Sequence, residues 1–170
     1  MLTKLRFRIY DAMVSDLQLL WEHRWPHALG LLHLWNEKGC ATAVVTTFMR
    51  CEALWVLEAL GVTQLLDFVL TREDVAKPKP NPEIYLMAAS LAEVPSRDCL
   101  VIEDSSPGVQ AALAIGMHVV AAATPLTECG LRGAPGLDPR WVVHDRELLI
   151  QTVQEPLAEQ GAQTHPLRER

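Results

Sequence analysis

The sequence lacks several features that define whole classes of protein. No window holds 18 uninterrupted apolar residues, as an ordinary membrane-spanning helix would require. Acidic residues outnumber basic ones by 21 to 15, giving a formal net charge of −6, and the basic stripe of a nucleic-acid-binding surface is missing. The four cysteines stand far apart and form no C-x-x-C pair, which indicates free thiols in a reducing compartment. The first ten residues include three basic ones and no apolar core of a secretory signal. We therefore expect a cytoplasmic protein that binds neither nucleic acid nor membrane.

What the 170 residues do contain is an ordinary globular composition, with 49% hydrophobic and 21% charged residues, which predicts one domain. From residue 27 onward, short apolar segments alternate with segments of helical periodicity. The predicted strands are 41–46, 65–71, 99–102, 119–122 and 141–143, and the predicted helices are 27–38, 49–60, 83–91, 106–115 and one from about 146. This alternation predicts an α/β fold with a parallel sheet covered by helices on both faces.

Polar residues stand where these predicted strands end. They are Thr46 and Thr47, Lys77 and Lys79 in the proline-rich stretch 76–82, and the pair Glu103 and Asp104. Because ligands of such sheets bind beyond the carboxyl ends of the strands, we expect these groups to share one crevice. Two adjacent carboxylates repel each other and favour a cation, and Mg²⁺ prefers such oxygen ligands. Lysine and threonine supply donors for phosphate oxygens, so the set predicts a site that handles a phosphoryl group.

Each of these residues also has a purely structural interpretation. A threonine that ends a strand commonly caps a turn, and a lysine in a proline-rich loop is commonly solvated. The residues Glu103 to Pro107 carry the signature of a helix start, since Asp and Ser cap helices and Pro favours the first turn. Both interpretations stay open at the level of residue types alone.

Longer segments resemble a known family. The segment 101–117, VIEDSSPGVQAALAIGM, resembles the acidic fourth motif of the haloacid dehalogenase-like (HAD) phosphatases, in the branch of phosphoglycolate phosphatases and β-phosphoglucomutases. The segment 79–85, KPNPEIY, is similar to the third motif of that branch, and 43–46, AVVT, is similar to its second. The resemblance extends over about residues 26 to 124 and implies a Rossmann-like core.

The resemblance also implies roles for single residues. Thr46 would hydrogen-bond the transferring phosphoryl group, with Thr47 beside it. Lys79, rather than Lys77, would neutralise charge on the phosphoryl oxygens, because only Lys79 begins the Pro-x-Pro-acid pattern. Glu103 and Asp104 would hold Mg²⁺ directly or through water. The activity implied is a Mg²⁺-dependent phosphatase or phosphomutase-like reaction on a small phosphorylated metabolite.

One motif of these enzymes is missing from the chain. They attack phosphorus with the first Asp of an Asp-x-Asp motif, and this sequence contains no Asp-x-Asp. The early candidate Asp11 has Met13 at the second position, so the general acid and base is absent. Residues 1–25 are better explained as a remnant of a helical cap domain, because Leu17, Leu20 and Trp21 recur at helical spacing.

We therefore expect a cap remnant at 1–25, a HAD-like core at 26–154 and a loose tail at 155–170. Two explanations of the missing motif remain open: the chain begins inside the cap of a longer protein, or it is a degenerate relative. A non-catalytic binding or scaffold protein with the same fold is the main alternative function. A phospho-acceptor receiver domain is a weaker one, because the proline-rich lysine loop does not fit it.

Overall fold

The computed structural model describes residues 26–153, together with Asp16, Gln18, Trp21 and Glu22. Gln18, Trp21 and Glu22 are helical. The predicted tail at 155–170 and most of the predicted cap remnant at 1–25 lie outside the described residues, so both assignments stay predictions.

Strands and helices alternate through residues 26–153 in the predicted order, with one additional short helix at Glu128–Leu131 that the sequence did not predict. In chain order they are α1 Pro26–Glu37, β1 Ala43–Val45, α2 Arg50–Ala59, β2 Phe68–Leu70, α3 Glu83–Ala92, β3 Leu100–Glu103, α4 Ser106–Leu113, β4 His118–Ala122, α5 Glu128–Leu131 and β5 Val142–Val143. Short 3₁₀ turns at Thr63–Leu65, Arg72–Asp74, Ser96–Asp98, Pro139–Trp141 and Arg146–Leu148 connect them, and residues 149–153 are helical. Gly61 and Gly116 follow α2 and α4 with φ of 68° and 73°, a left-handed conformation that glycine adopts without strain.

The strands β1, β2 and β5 are shorter than the apolar segments that predicted them. The segment 65–71 shows why, because its first residue belongs to a 3₁₀ turn. The side chains of Asn36 and Thr42 both donate hydrogen bonds to the Leu65 carbonyl. That carbonyl is therefore used by side chains from other segments, and the ladder of β2 begins only at Phe68.

All strand pairs are parallel, but they form two sheets. β1 pairs with β2, with Val44 opposite Val69, and β3, β4 and β5 form a separate three-stranded sheet in that order. Within residues 26–153, no hydrogen-bonded ladder joins β1 to β3. One edge of each of these strands is thus left without a ladder partner among the described residues. The interruption falls between the two strands that carry the predicted site residues.

Helices cover both faces of the larger sheet, as predicted. Val119 and Ala121 of β4 pack into a core with residues of α3 and α4, whereas Val120 points into a second core with Leu31 of α1 and with Val153. The alternation follows from the two-residue side-chain period of a strand. A strand that lies between two such cores must be apolar on both sides, which explains its continuous apolar sequence.

The edge strand β3 is less well covered than the central strand β4. Ile102 of β3 is 40% exposed, whereas Val120 beside it is fully buried. No helix within the described ranges is both long and apolar enough to cross a membrane.

We predict that the edges of β1 and β3, which have no ladder partner among the described residues, promote self-association of the chain. Unpaired parallel edges with exposed apolar side chains act as templates for pairing with another chain, and a lysine on such an edge opposes that pairing. Ile102→Lys should therefore lower the concentration-dependent association measured by size-exclusion chromatography with light scattering. Leu91→Lys, which alters a side chain that is 51% exposed on α3, is the matched control and should leave it unchanged. A parent chain that stays monomeric at every concentration would contradict the prediction.

Candidate functional site

The proline-rich loop is folded so that one of its two lysines points inward. The Glu83 carboxylate at the start of α3 accepts hydrogen bonds from the backbone N–H groups of Ala76 and Lys77, at 3.2 and 3.1 Å. Asn81 Oδ1 accepts the N–H of Glu83 at 3.0 Å, and the Lys79–Pro80 peptide bond is cis. These contacts close the loop onto α3. Lys77 is exposed, whereas the side chain of Lys79 is only 5% exposed.

The Lys79 ammonium contacts three acceptors from three different elements. It forms an ion pair with the Glu103 carboxylate at the end of β3. It also donates to the Tyr85 hydroxyl on α3 at 3.0 Å and to the Val45 carbonyl at the end of β1 at 3.2 Å. The Tyr85 ring lies 4.7 Å from the ammonium and adds a cation–π contact. Since an ammonium has three protons, these three acceptors use all of them.

Glu103 is the acceptor that gathers the other donors of the site. Its Oε1 accepts from Lys79 and, at 2.9 Å, from the Tyr85 hydroxyl. Its Oε2 accepts from the backbone N–H groups of Asp104 and Ser105, each at 3.1 Å, and from the Ser105 hydroxyl at 2.9 Å. Burial on its own would raise the pKa of Glu103, but the charge of Lys79 and the hydrogen bonds hold it below the ordinary value. The buried carboxylate is therefore ionised at neutral pH.

The start of α4 is built around this carboxylate. Ser105 is the N-cap of α4, and its hydroxyl accepts the N–H of Gly108 at 3.2 Å while it donates to Glu103. A Cβ atom at position 108 would lie 1.9 Å from Glu103 Oε1, so only glycine leaves room for the carboxylate. The helix-start interpretation of residues 103–107 is thus correct for Ser105, and the same contacts position Glu103.

Asp104 differs from Glu103 in almost every respect, although the two are adjacent. Asp104 is exposed at the surface, whereas Glu103 is buried. The pKa of Asp104 is raised, because partial burial of its carboxylate disfavours the charged form and Glu103 adds a second negative charge nearby. Of the two acidic residues, Asp104 is the more exposed.

Thr46 lies beside Lys79, in the loop after β1. Hydrogen bonds to β2 and to the following bend hold this loop in place. The Thr46 N–H donates to the Leu70 carbonyl at 2.9 Å, and its hydroxyl accepts the N–H of Phe48 at 3.1 Å. Because Lys79 bonds to the carbonyl of the preceding residue, covalent geometry limits the Thr46 hydroxyl to within roughly 8 Å of the ammonium. The accepted bond leaves the hydroxyl proton available for donation. Thr47 follows in an exposed bend.

The structure therefore brings Lys79, Glu103 and the end of β1 into contact, with Thr46 and Asp104 as their chain neighbours. Sequence reasoning did not assign a site role to Tyr85, Ser105 or Gly108. For Tyr85 a usable signal was present, since an aromatic residue in the first turn of the helix after the loop faces back toward Lys79. For Gly108 the signal was a glycine inside a helix, five residues after the acidic group that it accommodates.

The pair Glu103 and Asp104 fits the expected Mg²⁺ only in part. Asp104, an exposed residue, carries carboxylate oxygens, the ligand type that Mg²⁺ prefers. Within the part of the chain that the structure describes, however, no cluster of three or more His, Cys, Asp or Glu side chains could hold a metal ion. Glu103 and Asp104 alone do not form a complete cation site.

The sequence and the fold of the chain match known proteins. The family model of haloacid dehalogenase-like hydrolases matches residues 7–122. The chain belongs to this family. Its fold resembles a putative β-phosphoglucomutase from Thermotoga maritima, with a TM-score of 0.64 and 26% identity over 73% of this chain and 56% of that one.

Two characterised relatives are phosphatases by name. Validoxylamine A 7'-phosphate phosphatase of Streptomyces hygroscopicus subsp. limoneus is 37% identical over 97 residues, which are 57% of this chain and 46% of the relative. Hexitol phosphatase A of Escherichia coli (strain K12) is 36% identical over 100 residues, 59% of this chain and 46% of the relative. The chain thus spans about half the length of these relatives.

The contact between Gly108 and Glu103 gives a prediction about stability. Gly108→Ala should lower the free energy of unfolding by about 1–3 kcal/mol or more, because the new methyl group must displace a buried, ion-paired carboxylate. Chemical denaturation followed by circular dichroism measures this loss.

Gly30→Ala in α1 is the control for helix propensity. A Cβ at position 30 meets nothing within 4 Å, so alanine there should be neutral or stabilising by up to about 1 kcal/mol. Equal effects of the two substitutions would show that the crowding at position 108 does not exist.

Proposed function

We propose that this chain carries the phosphate- and cation-binding residues of a Mg²⁺-dependent HAD-type phosphatase or phosphomutase for small phosphorylated metabolites. The observation that carries the proposal is the buried ammonium of Lys79, held at the carboxyl ends of β1 and β3 beside Thr46. The two named phosphatases among its relatives support the reaction class. Four free thiols support our proposal of a reducing, cytoplasmic location.

Each side chain would contribute a distinct interaction with a bound phosphate. The Thr46 hydroxyl would donate its proton to a phosphoryl oxygen, with Thr47 at the rim of the site. Lys79 would contribute its positive charge, and it could exchange its longest bond, the one to the Val45 carbonyl, for a phosphoryl oxygen. Asp104 would hold the cation, and a bound Mg²⁺ would offset negative charge on the phosphoryl group.

The 170-residue chain supplies no Asp-x-Asp motif for covalent catalysis. Losing a nucleophile that acts together with its partners costs many powers of ten in rate. We therefore propose that the chain by itself binds phosphate but turns over almost none. The alternative function, a non-catalytic binding or scaffold protein, predicts the same behaviour for this chain. An in-frame Asp-x-Asp encoded directly upstream would favour the enzyme.

The proposal is tested by binding and turnover measured on the same samples. Orthovanadate, a phosphate analogue, should bind in the presence of Mg²⁺, as followed by ⁵¹V NMR. The Lys79→Met/Glu103→Gln double variant removes the ammonium without leaving an unpaired buried charge, and it should weaken binding at least about tenfold. Lys77→Met removes the exposed lysine of the same loop and should leave binding unchanged.

Turnover of p-nitrophenyl phosphate by the parent should not exceed that of a Glu103→Ala/Asp104→Ala control. Mg²⁺-dependent turnover well above the control would contradict the expected inactivity and would point to Asp11 as the residue to test for a substitute nucleophile. Vanadate binding that is indifferent to Lys79 would overturn the proposed site.

A further inference from the structure

The hydroxyl of Tyr85 contacts both members of the buried ion pair, although Tyr85 lies on a different element from either of them. Tyr85 stands in the first turn of α3 and is 3% exposed. Its hydroxyl oxygen lies 2.9 Å from Glu103 Oε1 and 3.0 Å from Lys79 Nζ. An ionised carboxylate can only accept a hydrogen bond and an ammonium can only donate one, so the single hydroxyl proton must point at Glu103. The lone pairs of the hydroxyl are then left for Lys79.

Loss of this hydroxyl would affect Lys79 more than Glu103. The Glu103 carboxylate accepts from five donors, so four remain without the hydroxyl. The Lys79 ammonium has three acceptors for its three protons, and the hydroxyl is one of them. The contact therefore matters mainly for the directions in which the ammonium points its protons.

Those directions decide what the ammonium offers to a ligand. The three protons of a lysine ammonium rotate together, so the neighbouring acceptors set their orientation. Glu103 and Tyr85 hold two of them, and the third is directed at the Val45 carbonyl, one residue before Thr46. That third bond is the longest, at 3.2 Å, and its acceptor is uncharged, so a charged phosphoryl oxygen replaces it most readily. The replacement leaves the ion pair and the Tyr85 contact intact.

The aromatic ring of Tyr85 holds the ammonium independently of the hydroxyl. The ring centroid lies 4.7 Å from Lys79 Nζ, within the range of a cation–π contact. This attraction acts on the positive charge as a whole and does not fix each proton. The ring therefore contributes to the position of the ammonium, whereas the hydroxyl contributes to its orientation.

We propose that Tyr85 is a positioning residue: its hydroxyl orients the Lys79 ammonium so that one N–H faces the phosphate site at the end of β1. The role rests on the proposed function, because it concerns how Lys79 meets a phosphoryl oxygen. It belongs to a residue for which the family resemblance implied no role.

Tyr85→Phe tests the role, because it keeps the ring and removes only the hydroxyl. Orthovanadate binding in the presence of Mg²⁺, followed by ⁵¹V NMR, should weaken about three- to tenfold, as expected for one misdirected hydrogen bond. ¹⁵N NMR of lysine-labelled protein gives a second readout, which a purely structural role would not move. The Lys79 ammonium signal, assigned by its absence from Lys79→Met/Glu103→Gln, should shift when vanadate binds to the parent. At vanadate saturation the shift should be smaller in Tyr85→Phe, because the N–H no longer points at the ligand.

Thr42→Val is the matched control for the loss of a buried hydroxyl. Thr42 is 8% exposed, and its hydroxyl donates to the Leu65 carbonyl at the end of β1 opposite the site. This variant should lower thermal stability while it leaves vanadate binding and the Lys79 shift unchanged. Thermal unfolding of both variants checks that each is folded.

The outcomes separate this inference from the function on which it rests. Unchanged or tighter vanadate binding by Tyr85→Phe, an equal loss in Thr42→Val, or a Lys79 shift at saturation equal to that of the parent would overturn the positioning role alone. A parent chain that binds no vanadate, or that binds it indifferently to Lys79, would overturn the proposed function and the positioning role together.

Discussion

The buried ion pair between Lys79 and Glu103 is the contact on which the arrangement of the candidate site depends. Lys79 comes from the loop after β2, and Glu103 ends β3, while the same ammonium also holds the Val45 carbonyl at the end of β1. No backbone ladder connects the two sheets within residues 26–153. One side chain therefore provides a polar link between the carboxyl ends of strands that belong to separate sheets, and it does so at the edge where ligands of parallel sheets bind.

Burying two opposite charges is favourable only when their remaining hydrogen-bonding capacity is satisfied. The site meets this condition with groups from the adjacent helices: the Tyr85 hydroxyl on α3 and the Ser105 N–H and hydroxyl at the start of α4. The condition also explains the glycine at position 108, where any side chain would overlap the carboxylate. Several residues that look like ordinary helix-capping and packing residues thus contact a single charge pair.

Most of the fold could be predicted from the sequence, because short apolar segments and helical periodicity report directly on burial. The side chains of β4, which alternate between two cores, are such a case. The interruption between β1 and β3 could not be predicted from the sequences of these two strands themselves, since an apolar strand has the same sequence whether one or both of its edges are paired. For the site, the position of Lys79 after a predicted strand was informative. The unequal burial of Glu103 and Asp104 could not be predicted, because residue type does not reveal which of two neighbouring acidic residues meets a buried lysine.

A double-mutant cycle on Lys79 and Glu103, with the free energy of unfolding measured by chemical denaturation, tests the central claim most directly. If the pair organises the site as the contacts indicate, Lys79→Met and Glu103→Gln should each lower that free energy by about 3–5 kcal/mol, because each leaves an uncompensated buried group. The double variant should then lose much less than the sum of the two, with a coupling energy of about 2–3 kcal/mol. Additive losses, or single losses below about 0.5 kcal/mol as expected for exposed groups, would contradict the account.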